Sequence, residues 1–253
     1  MSVARCVWIT GASSGIGRSL ALHYARVGAA VAVSARRADM LAELASDAAG
    51  LSGRIVAFPV DVADAAAMAR TGEAIEAALG PLDLAVFNAG THEPVDVVRF
   101  DPGPFQRLMA INFMGVVNGI AAVLPSFIAR RRGRIAVVSS VAGYRGLPQA
   151  AAYGPTKAAL INLCEALKPD LDRFGVGISV INSGFVRTPL TDRNRFPMPF
   201  LISAEDAARR IARGLDRGAF EITFPRRFTW LLKLGRILPY GIYFALVRRV
   251  TGR

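Results

Sequence analysis

The chain has 253 residues, 53% of them hydrophobic and 20% charged, which excludes a disordered segment and suits one α/β domain around a large core. Its formal charge of +12 would admit nucleic acid, but no recognition motif and no basic stretch interleaved with aromatics precedes the C-terminal tail, so no nucleic-acid partner is expected. Two isolated thiols, Cys6 and Cys164, and an N-terminus unlike a signal peptide predict reduced core cysteines, no metal site and a cytoplasmic location.

In chain order, Val- and Ile-rich runs at Val3–Ile9, Ala29–Ala35, Arg54–Val60, Leu82–Phe87, Gly133–Ser139 and Val176–Asn182 read as strands buried on both faces. Between them, helical spacing predicts helices over Ile16–Val27, Asp39–Ala48, Ala65–Leu79, Phe105–Arg130 and Ala151–Phe174. The alternation calls for a doubly wound α/β fold, a parallel sheet covered by helices on both faces. Right-handed crossovers then gather the strands' carboxyl ends on one edge, where such folds bind ligands. Residues 1–224 are expected to form this domain and 225–253 a basic amphipathic helical extension.

The turn after the first strand reads Thr10-Gly11-Ala12-Ser13-Ser14-Gly15-Ile16-Gly17 and opens a helix, the context in which a glycine-rich motif cradles a pyrophosphate. Gly11 would allow the tight turn, Gly15 the approach of a phosphate, and Gly17 close packing of helix on strand. Where a carboxylate would bind the adenosine ribose hydroxyls, the second strand ends in Ser34-Ala35-Arg36-Arg37. A guanidinium at Arg36, with Arg37 beside it, suits a 2′-phosphate and predicts NADP(H) rather than NAD(H). Asp61 and Val62 follow the third strand and Asn88-Ala89-Gly90 the fourth, as adenine and ribose neighbours or as ordinary caps and turns.

Tyr153 and Lys157 lie four apart at a helix start, so both project from one face, where an ammonium would bring a phenol nearer a working pH. Ser140, directly after the fifth strand, is placed to bond a substrate oxygen, with Ser139 its competitor. Asn112 either holds a proton-relaying water near Lys157 or is a core amide satisfied by backbone.

With this ordered set the sequence closely resembles the classical short-chain dehydrogenases/reductases over residues 3 to 224. The resemblance implies a Rossmann-like seven-stranded sheet, a homo-oligomer (dimer or tetramer), and a Ser140-Tyr153-Lys157-Asn112 site in which Tyr153 is the acid/base. It also implies cofactor contacts from Gly11, Ser13, Ser14, Gly15, Ile16, Gly17, Arg36, Arg37, Asp61, Val62, Asn88, Ala89, Gly90, Tyr153, Lys157, Gly184, Val186 and Thr188. The expected reaction is NADP(H)-dependent reduction of a carbonyl, or oxidation of the matching alcohol. A non-catalytic NADP(H)-binding or membrane-surface regulatory protein is the alternative. One departure stands out: Ser183-Gly184 replaces the family's usual Pro-Gly, predicting a looser turn.

The aperiodic stretch Thr191–Phe200 is half apolar and, with Phe185, Leu147 and Tyr144, predicts a lipophilic substrate. After Glu221 there are seven basic residues and no acidic one, with leucines at helical spacing interrupted by Pro239. Two short amphipathic helices are expected there. They would lie on a membrane surface, pack in an oligomer, or cover the substrate.

Overall fold

The computed structural model describes residues 6–193 and 198–251. Met1–Arg5, where the first strand was expected to begin, and Asn194–Pro197 of the aperiodic stretch lie outside the described residues.

Seven parallel strands run in the order β3-β2-β1-β4-β5-β6-β7: β1 Cys6–Thr10, β2 Ala30–Ser34, β3 Arg54–Ala57, β4 Leu84–Phe87, β5 Gly133–Ser140, β6 Val176–Ser183 and β7 Glu221–Phe224. Successive side chains on a strand face opposite ways, and here both faces are apolar. Val7, Ile9, Val31, Val33 and Ile222 pack beneath α1 (Gly15–Arg26), α2 (Ala38–Asp47) and α7 (Ala204–Asp216). Trp8, Phe87, Ile135, Val137 and Val180 pack on the other face, beneath α3 (Ala65–Leu79), α5 (Gly115–Arg130) and α6 (Tyr153–Arg173). Trp8, Phe87 and Phe127 are fully buried. Each such side chain contributes on the order of 1.5–3 kcal/mol by leaving water.

The five helices expected from spacing all form, with ends within two residues of those expected. The exception in kind is the fourth, which is α4 (Gly103–Leu108), a π-helical turn at Met109–Met114, and α5 in succession. The wider turn points Asn112 inward, where it is fully buried. Gly103–Arg130 is, among the described residues, the helix long and apolar enough to cross a membrane, but Val116, Ile120, Val123 and Phe127 seat it in the core.

Two elements escaped the residue pattern. β7 has only four residues, two of them half-buried, too short for a periodic signal. α7 is amphipathic through small residues, burying Ala207, Ala208, Ile211 and Leu215. Its start was nevertheless written locally, because the Ser203 hydroxyl accepts from the Asp206 amide at 3.1 Å.

After β7 the chain forms α8 (Arg226–Ile237) and α9 (Tyr240–Thr251), separated at Pro239 as expected. They are anchored: Thr229 is buried and bonds Thr223 at 3.3 Å, Lys233 pairs with Glu221, and the Tyr243 hydroxyl donates to the Gly146 carbonyl.

Candidate active site

The glycine turn lies between β1 and α1, at the edge where β1, β2 and β4 end. Gly11 and Gly15 have φ of +66° and +57°, a conformation that side-chain-bearing residues rarely adopt. A Cβ on Gly11 would stand 2.7 Å from the Ala89 Cα, and one on Gly15 2.8 Å from the Thr188 Cγ2. Gly17 is pressed against the Gly11 carbonyl, where a Cβ would sit at 2.5 Å. Asn88 holds this geometry, its amide donating to the carbonyls of Thr10 (3.0 Å) and Gly11 (3.2 Å), while Thr10 Oγ1 accepts from the Asn88 and Ala89 amides. Asn88 and Ala89 therefore build the turn.

Ser14 precedes α1 without capping it through its side chain, and the helix's first turn carries no acidic residue. The positive end of the helix dipole at a turn that admits no Cβ at Gly11, Gly15 or Gly17 fits a pyrophosphate. Ser13 is buried and accepts from Arg37 at 3.1 Å. Both Arg36 and Arg37 are exposed at this edge, and it is Arg37 that bonds the cradle. Ile16 packs partly into the core below. Asp61 accepts from the Ala63 amide at 3.0 Å, a turn role. Val62 is buried against Gly115, and its carbonyl accepts from Asn118 at 2.9 Å.

The second cluster gathers at the ends of β5 and β6 and the start of α6. Tyr153 opens α6, and the Lys157 Nζ, one turn on, lies 5.5 Å from its ring centre. Lys157 is buried and donates to the Val138 carbonyl at 2.9 Å. Gly90 lies alongside Lys157 and Asn112, where a Cβ would stand 3.2 Å from the Asn112 Oδ1 and in ordinary contact, 3.5 Å, with the Lys157 Nζ. Ser140 accepts from the Ala142 amide at 3.2 Å and donates to the Ser183 carbonyl at 3.4 Å. The two neighbouring serines separate cleanly: Ser139 donates into the α6 backbone at the Lys157 carbonyl (2.8 Å), while Ser140 interacts with the Tyr153 hydroxyl.

Burial pushes the Tyr153 phenol up to about 12, with the hydrogen bond to Ser140 pulling the other way. Burial also pulls Lys157 down to about 8. Lys157 was expected to depress the phenol, but its ammonium is directed at Val138; the partner that favours the phenolate here is Ser140. The Asn112 side chain is fully engaged within the protein. Its Oδ1 accepts from the Thr91 amide (2.8 Å) and its Nδ2 donates to the Thr91 carbonyl (2.9 Å) and Thr156 Oγ1 (3.1 Å), so the side chain pins the loop after β4 to α6.

His92, which the sequence reading passed over, packs edge-on against Tyr153 with ring centres 5.0 Å apart. Its buried Nδ1 has no hydrogen-bond partner among the described residues, and burial holds its pKa below the ordinary histidine value. Its position two residues past Asn88-Ala89-Gly90 was the available signal.

The turn after β6 is not loose. The Gly184 amide donates to the Phe224 carbonyl at 2.8 Å, and Ser183 is a buried member of β6. Val186 is buried and bridges to Ile202, and Thr188 closes a short turn with Thr191 that seats it over Gly15. Phe185 packs on Phe228 of α8 (5.6 Å), which also meets Phe200 (6.0 Å), so α8 joins an aromatic cluster next to the turn after β6. Tyr144 faces elsewhere: its hydroxyl donates to Glu221 at 2.7 Å, supporting α8 from below.

A profile described as short chain dehydrogenase matches residues 5–197. The chain belongs to that family. An uncharacterized oxidoreductase of Myxococcus xanthus is 38% identical over 97% of both chains. A dehydrogenase/reductase SDR family protein 7-like from Anopheles gambiae is 30% identical over 97% of this chain and 82% of its own. The 3-oxoacyl-(acyl-carrier-protein) reductase FabG of Thermotoga maritima is 31% identical over 73% of this chain and 75% of its own. The protein is thus an oxidoreductase of the short-chain dehydrogenase family, and family membership implies a nicotinamide cofactor.

Proposed function

We propose that this oxidoreductase is an NADP(H)-dependent reductase that converts a carbonyl of a lipophilic small molecule to a secondary alcohol. The observation that carries this reading is the convergence of Tyr153, Lys157 and Ser140 at the carboxyl edge shared with the glycine cradle. When bound, the nicotinamide would supply the hydride, held by the turn Gly11–Gly17, Thr188 and Lys157. Ser140 would orient the carbonyl oxygen, and Tyr153, protonated across the neutral range, would donate the proton that oxygen gains. Asn112 acts at one remove, fixing the loop that carries Gly90 and His92.

Preference for the 2′-phosphate is supported by Arg36 and Arg37, the second of which already bonds Ser13 of the cradle. A lipophilic substrate is supported by the Phe185, Phe200 and Phe228 wall.

The test is NADPH oxidation against a panel of long-chain and polycyclic ketones and aldehydes, with wild type and Tyr153→Phe. Turnover should fall by about 10²–10⁴ in the variant while NADPH still binds, as loss of a positioned acid predicts. Turnover equal to wild type would refute the assignment.

A further inference from the structure

We propose that the outward faces of α8 and α9 form a docking surface for an anionic lipid bilayer, and that the same two helices hold the substrate cleft against that surface.

The two helices are two-sided. Their inner side is committed to the body of the protein through Phe228, Thr229, Lys233 and Tyr243. On their outer side stand large apolar residues that the described residues leave mostly open: Trp230 is 69% exposed, Leu234 58%, Ile237 76% and Tyr240 73%. Arg227, Trp230, Leu231, Leu234 and Ile237 recur at three and four along α8, so they form one stripe. Phe244 and Leu246 extend the apolar surface onto α9.

Charge selects the occupant. Arg226, Arg227, Arg236, Arg248 and Arg249 are exposed on these helices, and neither helix has an acidic residue. A second copy meeting this face about a two-fold axis would bring like charge against like charge. An anionic bilayer complements it: phosphates take the arginines, the leucines and isoleucine enter the acyl boundary, and Trp230 and Tyr240 suit the headgroup level. Each helix has twelve residues, too few to span, so both would lie along the surface.

The surface is tied to the site. Arg145, five residues past Ser140, donates to the carbonyls of Gly235 and Leu238 (2.8 Å) at the end of α8, and its guanidinium stacks on Tyr243 (4.0 Å) and Tyr240 (4.9 Å). Phe228, on the inner side of α8, meets Phe185 and Phe200 beside Thr188. A docked molecule would therefore hold Phe228, part of its apolar wall, on the inner side of the same helix whose outer side meets the lipid. This consequence, unlike the docking itself, rests on the lipophilic-substrate reading.

The experiment is co-sedimentation of the full chain with vesicles of phosphatidylcholine alone and of phosphatidylcholine with an equal part of phosphatidylglycerol. It compares wild type with the pairs Trp230→Ser/Leu234→Ser and Arg248→Glu/Arg249→Glu. Wild type should bind the anionic vesicles, less tightly as salt rises, and either pair should weaken partitioning at least about tenfold. NADPH binding and the mass measured by light scattering should not change. Absence of binding to anionic vesicles, or binding indifferent to both pairs, would overturn the proposal. Dissociation of an oligomer by the first pair would reassign the face to a second copy. Vesicle binding needs no turnover, so a chain that docks but reduces nothing would refute only the reductase reading.

Discussion

Replacing Lys157 by methionine should leave the protein as stable as wild type at pH 7, or more so, while abolishing its turnover. The ammonium is buried and burial lowers its pKa from 10.5 to about 8. That depression corresponds to roughly 3 kcal/mol by which folding is weakened below pH 8, where both states carry the charge. Methionine fills most of the same volume without a charge, but leaves the Val138 carbonyl, now 2.9 Å from Nζ, without this donor. An unpaired buried carbonyl costs on the order of 1–3 kcal/mol, so the variant should lie between about neutral and about 2 kcal/mol more stable at pH 7. The pH dependence has a definite sign. Between the folded value near 8 and the unfolded value of 10.5, the unfolded chain holds a proton that the folded protein has released, so wild-type stability gains from rising pH. The methionine variant lacks this gain, and its advantage should shrink by about 1.4 kcal/mol between pH 7 and 9. Burial also raises the thiols of Cys6, to about 11, and Cys164, to about 12; these oppose the trend above pH 9 in both proteins and cancel in the difference. Urea unfolding of the two proteins at pH 7 and 9 makes the comparison. A variant destabilised by several kcal/mol at pH 7, with a gap that does not move with pH, would refute the account of Lys157 as a buried charge held for chemistry.

Three further outcomes are expected. Arg37→Glu should raise the ratio of NADPH to NADH dissociation constants by about tenfold or more, because charge-assisted bonds to the 2′-phosphate are worth about 1.5–3 kcal/mol; Arg36→Glu should act in the same direction, and unchanged ratios in both would defeat the assignment. Gly17→Ala should destabilise by about 1–3 kcal/mol and weaken cofactor affinity, since its Cβ would meet the Gly11 carbonyl, which thermal melts with and without NADPH would detect. Glu221 is pushed up by burial, but hydrogen bonds from Lys233, Tyr144 and Asn182 hold its carboxyl below the ordinary value. Glu221→Gln should therefore loosen α8, with faster limited proteolysis there; equal digestion would show that Phe228 and Arg145 suffice.

Sequence alone determined the parallel α/β fold, because strands buried on both faces and helices buried on one leave opposite periodicities in the chain. It also determined which residues close the glycine turn after β1 and which phenol and amine share a helical face, since turns and i,i+4 spacing are local. It could not say which way a side chain bonds once packed. Only the tertiary structure decided that Asn112 pins a loop, that Ser139 is taken by the α6 backbone while Ser140 lies between Tyr153 and the Ser183 carbonyl, and that Arg37 rather than Arg36 meets Ser13. The edge-on packing of His92 against Tyr153 and the attachment of α8 through Arg145 likewise became visible only in the fold. Each joins residues far apart in the chain, and hydrogen-bond partners, burial and the resulting pKa shifts exist only after folding brings them together.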